Sequence, residues 1–565
     1  MHKSLAFPPL NFSRRRDNMA LTLDVQHVAT ASAVVGVATH LGYFIRGEHH
    51  LQALRLVLLA LASPVAVFVA ARYYLATGDK EATQFTVASV LGFYGALFGS
   101  ILIYRVFFHR LRNFPGPFWA KTTKLYHVSL IARRKNNWLV RDSWHQKYGD
   151  IVRIGPSELS IIKPKAVPLV LGAGSKCIKS DWYDMSKPID SMHTIREKQI
   201  HDARRRIWDQ GFNSKALRSY EARILKYSKQ LVDALAHESG KSIDASKWFN
   251  YYSFDAMGDL AFGKSFNMLT TGKEHFFLQL VHKGQSPVGV FTPTPWLTLL
   301  LKEIPFAMRT FHKFLNWCGR QVEERQKMEM AEPDVMSYII DSAHHAQNPT
   351  EARNWLQADS RLIIVAGSDT TAATLTNAFY YITKDQIHLK RLRDELDGLR
   401  LADGTFNFKD LQGAAYLNAV INETLRLQPP VPSGLLRKTP PEGISIDGIY
   451  IPGNINISIP AYTLGRFEAA FTQAKDFIPE RWISKPEMIK SKEAFAPFSI
   501  GPYSCIGKQL ALMELRDVIA QLTTKFTIEQ APGYNTSPEQ GMEDIFTVAL
   551  GNLDLVFTSR EKDTL

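Results

Sequence analysis

Apolar positions follow two regimes along this chain, and the change falls near residue 110. Before it they run together in three long stretches, Val28 to Ile45, Leu56 to Ala71 and Phe85 to Phe108. The third has no charged residue from Phe85 to Tyr104, and a helix needs about 20 such residues to cross hydrocarbon. The second is bounded by Arg55 and Arg72 and contains Pro64, which membrane helices tolerate because neighbours re-satisfy the freed backbone groups. The first is rich in Gly, Ala and Thr and holds His40, so it suits the membrane interface as well as the interior. A cleavable signal peptide has a single apolar core, so three in succession argue against one. Two or three N-terminal transmembrane helices are expected.

After residue 110 periodicity replaces continuity. Apolar residues at three- and four-residue spacing predict helices over Trp138 to Tyr148, Ser214 to Ala236, Asp359 to Ile382 and His388 to Leu399. Short strand patterns appear at Ile151 to Ile154, Leu159 to Ile162, Ile444 to Ile451, Ile455 to Ile459 and Phe546 to Phe557. Turn pairs such as Asp447-Gly448 and Pro452-Gly453 separate several of them. There is no internal repeat and no βαβ alternation. The pattern predicts one mainly α domain with small peripheral β-sheets. The expected organisation is a tail over 1–24, a membrane anchor over 25–110, a proline-rich hinge over 111–119 and a catalytic domain over 120–565. Within the hinge, Pro115 and Pro117 stop helix continuation and favour a stiff extended turn, with a simple linker as the alternative.

Charge places the large domain. Arg105, Arg110, Arg112, Lys121 and Lys124 follow the third stretch and put everything after it in the cytosol. Three spans would then make the N-terminus lumenal, against the resistance of Arg14, Arg15 and Arg16 to translocation. Either two stretches span or the true start is Met19, and both remain open. A lumenal N-terminus would make Asn11-Phe-Ser a glycosylation site. The net charge of +13 is spread along the chain, with no basic block interleaved with aromatics, which argues against a nucleic-acid partner. Three cysteines without CxxC spacing, Cys177, Cys318 and Cys505, argue against a disulfide framework or a structural zinc site. The ordinary reading of any one of them is a small buried hydrophobe.

Cys505 departs from that ordinary reading. It sits in Ala496-Pro497-Phe498-Ser499-Ile500-Gly501-Pro502-Tyr503-Ser504-Cys505-Ile506-Gly507, with Leu510, Ala511, Leu512 and Leu515 beginning a helix behind it. A thiolate near a helix N-terminus is stabilised by exposed amides and the positive dipole end. Flanking glycines let the backbone approach something flat and bulky. These are the needs of an iron-bound thiolate: a lowered pKa and amides that hydrogen-bond the sulfur.

The stretch resembles the haem-binding loop of cytochrome P450 monooxygenases, Phe-x-x-Gly-x-Arg-x-Cys-x-Gly. Phe498, Gly501, Cys505 and Gly507 match. Tyr503 stands where the family has an arginine that pairs with a haem propionate, and it offers a hydroxyl without charge. The resemblance implies the P450 fold, haem b, and Cys505 as the axial iron ligand. Three further motifs fall in the family's order. Ala366-Gly367-Ser368-Asp369-Thr370-Thr371 breaks a strong apolar helix with locally unfavourable residues, a sign of function. By resemblance Gly367 makes room for dioxygen, Thr370 hydrogen-bonds it and Asp369 feeds protons inward. Glu423 and Arg426, three apart on one helix face, are completed by Arg481 into a buried structural set. His201 and Arg205, four apart, together with Arg437, resemble propionate partners and are expected to compensate for Tyr503.

The resemblance also implies dioxygen as co-substrate and electrons from an NADPH–cytochrome P450 reductase, docking near Lys508, Arg516 and exposed members of Arg204 to Arg206. Met192 to Ile195, Phe291 to Trp296, Val431 to Leu435 and Phe546-Thr547 would contact a hydrophobic small-molecule substrate. A multi-pass anchor in membrane lipid, at the endoplasmic reticulum with the catalytic domain cytosolic, is most similar to fungal members of secondary metabolism, tryprostatin hydroxylases among them. Two other classes stand beside this expectation. One is a reductase-independent haem-thiolate isomerase or dehydratase, disfavoured by Asp369 and Thr370; the other is a non-enzymatic membrane protein.

Overall fold

The computed structural model describes residues 24–75 and 77–560. The Asn11 sequon, Arg14 to Arg16 and Met19 lie outside the described residues. The chain divides into two compact units between Phe108 and His109.

In the first unit, α1 (Val25–Thr39) runs on into a π-helical turn at His40–Phe44. It is followed by α2 (Ala53–Tyr74) and α3 (Asp79–Ile103), the latter extended by a second π turn at Tyr104–Phe108. Helices α1 and α3 touch through their backbones: a Cβ on Gly36 would overlap the Phe93 carbonyl oxygen, and one on Gly92 that of Ala29. Small residues at such crossings let membrane helices approach closely. His40 is buried against α3 and meets Ser100 Oγ at 3.0 Å. Two helical segments, His50–Tyr74 and Asp79–Phe108, have the length and composition to cross a bilayer; α1 is not one of them. Leu59, Leu61, Val65, Leu91 and Phe98 point outward from these two, as lipid-facing side chains do.

In the second unit, the long helical patterns become α4 (Asn137–Tyr148), α5 (Lys198–Gly211), α6 (Ser214–His237) and α7 (Ala245–Phe262). Further on come α8 (Phe276–Phe291), α9 (Pro295–Lys302), α10 (Pro349–Lys384), α11 (Gln386–Leu396), α12 (Ala415–Leu427) and α13 (Lys508–Lys525). Helix α10 has 36 residues, about 54 Å at 1.5 Å per residue. It is buried over most of its circumference from Leu356 to Thr383, the mark of a helix that neighbours cover on all sides. Asn348 starts it by accepting the amides of Thr350 and Glu351, and Pro349 occupies the first turn, where its missing N–H costs nothing.

The strands form small separate sheets. The largest runs β1 (Ile151–Gly155), β2 (Glu158–Ile161), β8 (Asn456–Ser458), β5 (Leu436–Lys438) and β3 (Ile178–Lys179). Its β3–β5 register sets Lys179 opposite Arg437. The expected strand Ile444 to Ile451 is a hairpin, β6 (Ile444–Ile446) and β7 (Ile449–Ile451), folded at Asp447-Gly448. Residues 546 to 557 likewise split into β11 (Thr547–Ala549) and β12 (Asp554–Ser559). Strand β11 pairs with β10 (Glu543–Ile545), and β12 lies between β4 (Ser242–Asp244) and β9 (Phe526–Gln530). Pro115, within the expected hinge, is tied to the sheet, because its carbonyl accepts the Arg153 amide at 2.7 Å.

Candidate functional site

A cavity of about 440 Å³ lies inside the second unit between α10 and the loop before α13. Ala366, Gly367, Thr370, Thr371 and Thr374 line it from α10, and Phe498, Tyr503, Cys505 and Gly507 from the loop. Cys505 is exposed to this space, whereas Cys177 and Cys318 are buried core residues.

The loop is bent to present that sulfur. The Cys505 amide donates to the Phe498 carbonyl at 2.8 Å. Gly501 has φ +74°, and a Cβ there would overlap the Leu171 carbonyl oxygen, so both the turn and the space require glycine. Burial pushes the Cys505 thiol up, while amides of Gly507 and Lys508 and the charges of Arg205 and Lys508 pull it down. The expected lowering of its pKa is therefore not achieved by the protein alone. Desolvation outweighs the amides, and a bound cation is what deprotonates such a thiol outright.

Beside the loop is a cationic rim. The Tyr503 ring has Lys179 Nζ at 4.9 Å and the Arg437 guanidinium at 5.0 Å, and it meets His201 edge-on at 4.6 Å. Lys179 donates to the carbonyls of Met192, His193 and Ile195, and burial together with Arg437 lowers its pKa to about 6. Arg437 donates to Tyr183 Oη and the Leu436 carbonyl, and its buried Nε has no partner. Arg205 donates to the Ser504 carbonyl at 2.7 Å and pairs with Asp209. His201 differs from the expected cation, since burial and Lys179 push it down to about 4 and leave a neutral ring.

On α10, Thr370 donates its hydroxyl proton to the Ala366 carbonyl at 2.8 Å, while the side chain lines the cavity. Asp369 points elsewhere: Oδ1 lies 3.4 Å from His282 Nε2 on α8, and Oδ2 accepts from Thr547 Oγ1 at 3.3 Å. Thr547 lines the cavity. The Cβ direction of Gly367 points at the Met257 thioether on α7. Below α10, Thr371 donates to Glu514 Oε2 at 3.2 Å, and burial pushes Glu514 up to about 8.

Behind the loop, Glu423 accepts from Arg426 (Nε 2.9 Å, Nη2 2.7 Å), Arg481 Nε (2.9 Å), Trp482 Nε1 (2.9 Å) and the Ile478 amide (2.8 Å). All three charged side chains are fully buried. The remaining guanidinium hydrogens of Arg426 go to the carbonyls of Gly465, Ala474 and Asp476, so the set is closed and hydrogen-bonded.

A profile of the family described as cytochrome P450 matches residues 115–553. The chain belongs to the cytochrome P450 family. A cytochrome P450 monooxygenase FCK2 of Fusarium pseudograminearum is 42% identical over 537 residues, covering 93% of this chain and 97% of that protein. Tryprostatin B 6-hydroxylase of Aspergillus fumigatus is 38% identical over 551 residues, with 94% and 96% covered. The crystal structure of a cytochrome P450DA haem domain shares the fold with a TM-score of 0.63 at 16% identity, covering 76% of this chain and 94% of that one. This P450 is thus an oxygen-incorporating oxidoreductase that binds haem iron.

Its residues fit the haem. A thiol opens onto the cavity, four basic side chains ring one edge, and a buried guanidinium nitrogen there lacks a partner. Cys505 would hold the iron, and Lys179, Arg205, Arg437 and His201 would hold the propionates. Of the expected substrate contacts, Met192, Val431, Leu435, Phe546 and Thr547 line the cavity of this P450. None of Phe291 to Trp296 does; Gln285, Val288, Thr298 and Lys302 line it instead, because the turn between α8 and α9 carries the earlier segment away. Of the expected docking cations, Arg204 is committed to Asp359 and stacks on Trp355, and Arg516 is half-buried on Asn418. Lys508 and Arg206 are exposed. Lys179 was not foreseen; a two-residue strand leaves no periodicity to read.

Proposed function

We propose that this P450 is a membrane-anchored monooxygenase that places one oxygen atom from O2 into a hydrophobic small molecule of fungal secondary metabolism. Electrons come from an NADPH reductase docked beside Lys508 and Arg206. The observation that carries the reading is the open Cys505 thiol facing Thr370 and its neighbours across one largely apolar cavity. The names of relatives support the metabolic setting, two of them being tryprostatin B 6-hydroxylases. We read the domain as lying on the cytosolic face of the endoplasmic reticulum, a reading supported by Arg110, Arg112, Lys121 and Lys124 after the last span.

Haem bound through Cys505 supplies oxygen activation, thiolate donation favouring O–O cleavage. This chain supplies positioning and proton control. Thr370 spends its own proton on Ala366, so its oxygen faces the cavity as an acceptor. Asp369 bridges His282, 32% exposed, and Thr547 at the cavity wall, a route by which protons can be passed inward. Val365, Leu362, Val288 and Phe546 exclude water from the substrate. In microsomes carrying this protein and its reductase, product should gain one atom of heavy-isotope dioxygen and require NADPH. Product formed without NADPH, or oxygen taken from water, would overturn the reading.

A further inference from the structure

The distal end of the cavity holds two cations that, among the described residues, no carboxylate contacts directly. Arg361 on α10 lines the cavity, yet among the described residues it makes no hydrogen bond or ion pair. Lys302 on α9 lines it too and is bonded only to backbone carbonyls, those of Met185 and Lys187. Burial and the nearby Arg361 lower the Lys302 pKa to about 8. The two carboxylates close enough to act on Arg361 are Asp359 and Asp190. Asp359 is occupied by the Met192 amide, Arg204 and Trp208. Asp190 pairs with Lys187 through Oδ2 and does not line the cavity; its charge acts on both Arg361 and Lys302 without a direct contact to either. Among the described residues the sole acid on the cavity wall is Glu514, bonded to Thr371 beside the cysteine loop and held up to about 8 by burial.

A buried cation without a hydrogen-bonded counter-charge is costly unless a ligand supplies one. The propionate-side cations, Lys179, Arg205 and Arg437, sit on other elements beside Tyr503, whereas Arg361 and Lys302 belong to α10 and α9. More unmet polarity surrounds it. Trp182 Nε1, Gln285 Nε2 and Thr298 Oγ1 are buried, line the cavity and have no partner.

Resting on the monooxygenase reading, we propose that the substrate is an amphiphilic acid whose carboxylate is gripped by Arg361 and Lys302. A guanidinium matches a carboxylate with two parallel bonds. The apolar body then extends along α10 toward Thr370. Arg361 precedes Thr370 by nine residues, about 13 Å along the helix axis. With this axial rise as the minimum span, the oxidised carbon lies on the order of ten carbon–carbon bonds from the acid group, the reach of an aryl-capped eight-carbon chain.

The test uses the full-length haem-loaded protein and two probes, phenyloctanoic acid and its methyl ester, titrated by their displacement of the Soret band. The acid should bind at least about tenfold tighter than the ester, the scale of one charge-assisted contact. Arg361→Gln should abolish that preference without loosening the ester, Arg361→Lys should retain part of it, and Lys302→Met should weaken it. The ligand-free Arg361→Gln protein should melt no lower than wild type, since a cation without a hydrogen-bonded partner has been removed. Equal binding of the two probes, binding of neither, or a preference surviving Arg361→Gln overturns the proposal, as does a lower melting temperature. An ester-induced shift without acid preference leaves the monooxygenase reading intact. A protein that gives no thiolate-type Soret band as its reduced carbonyl complex ends both.

Discussion

His282 on α8 faces Asp369 on α10, Nε2 lying 3.4 Å from Oδ1. The pair joins the helix covering the cavity to the acid of the Asp369-Thr370 motif. Burial lowers the His282 pKa, but the hydrogen bond and charge of Asp369, with smaller contributions from Glu274 and Glu543, raise it above its ordinary value. A raised histidine stabilises the folded pair fully below pH 6.5, and the stabilisation is lost as pH rises through the higher folded value. Site-resolved imidazole titration of selectively labelled protein should show the raised value, and Asp369→Asn should bring it down. Above that pH, and in His282→Phe at all pH, the ratio of peroxide to product should rise. An unchanged titration in Asp369→Asn would show that the contact does not operate.

Glu423 is the common acceptor for two arginines that have no access to water. Glu423→Ala leaves both charges buried and should cost about 3–5 kcal/mol. A lower melting temperature and faster haem transfer to a scavenger protein would report it. Glu423→Asp, which shortens the reach but keeps the charge, should be milder. Wild-type stability in Glu423→Ala would remove the set from the fold's supports.

Tyr503 lies between two cations, and installing the family's arginine there should harm this protein. Tyr503→Arg adds a positive group beside Lys179 and Arg437, and like charges in a partly buried site repel. Haem retention should fall, and it should recover in the double variant with Lys179→Met. Tyr503→Phe keeps the ring face and should change stability by less than about 1 kcal/mol.

Gly501→Ala should fail to assemble the haem site. Positive φ strains alanine by roughly 1–3 kcal/mol, and here the new methyl also meets the Leu171 carbonyl. The reduced carbonyl spectrum should lose its thiolate band although the protein's far-ultraviolet dichroism is retained.

What was legible in the sequence depended on length. Helices α6, α10 and α11 were read to within a turn or so at most of their ends, because many residues repeat one period. The start of α10 was placed ten residues late, since polar Pro349 to Ala358 carries no apolar stripe although Asn348 caps it. The loop around Cys505 was legible through residue types that only a few conformations accept. Charge partners were not. Asp359 was read as a helix residue, yet it is fully buried and joins three elements. Arg361 and Lys179 carried no pattern that singled them out. Partnership across hundreds of residues is decided by topology, as when the β3–β5 register sets Lys179 beside Arg437.

Asp359 carries one more consequence. Its carboxylate ties the loop at Met192 and helix α5, through Arg204 and Trp208, to the same rod that bears Thr370. Opening that side would strip three donors from a charge with no water to replace them. One buried carboxylate thereby fixes the loop, helix α5 and helix α10 as a single wall of the chamber.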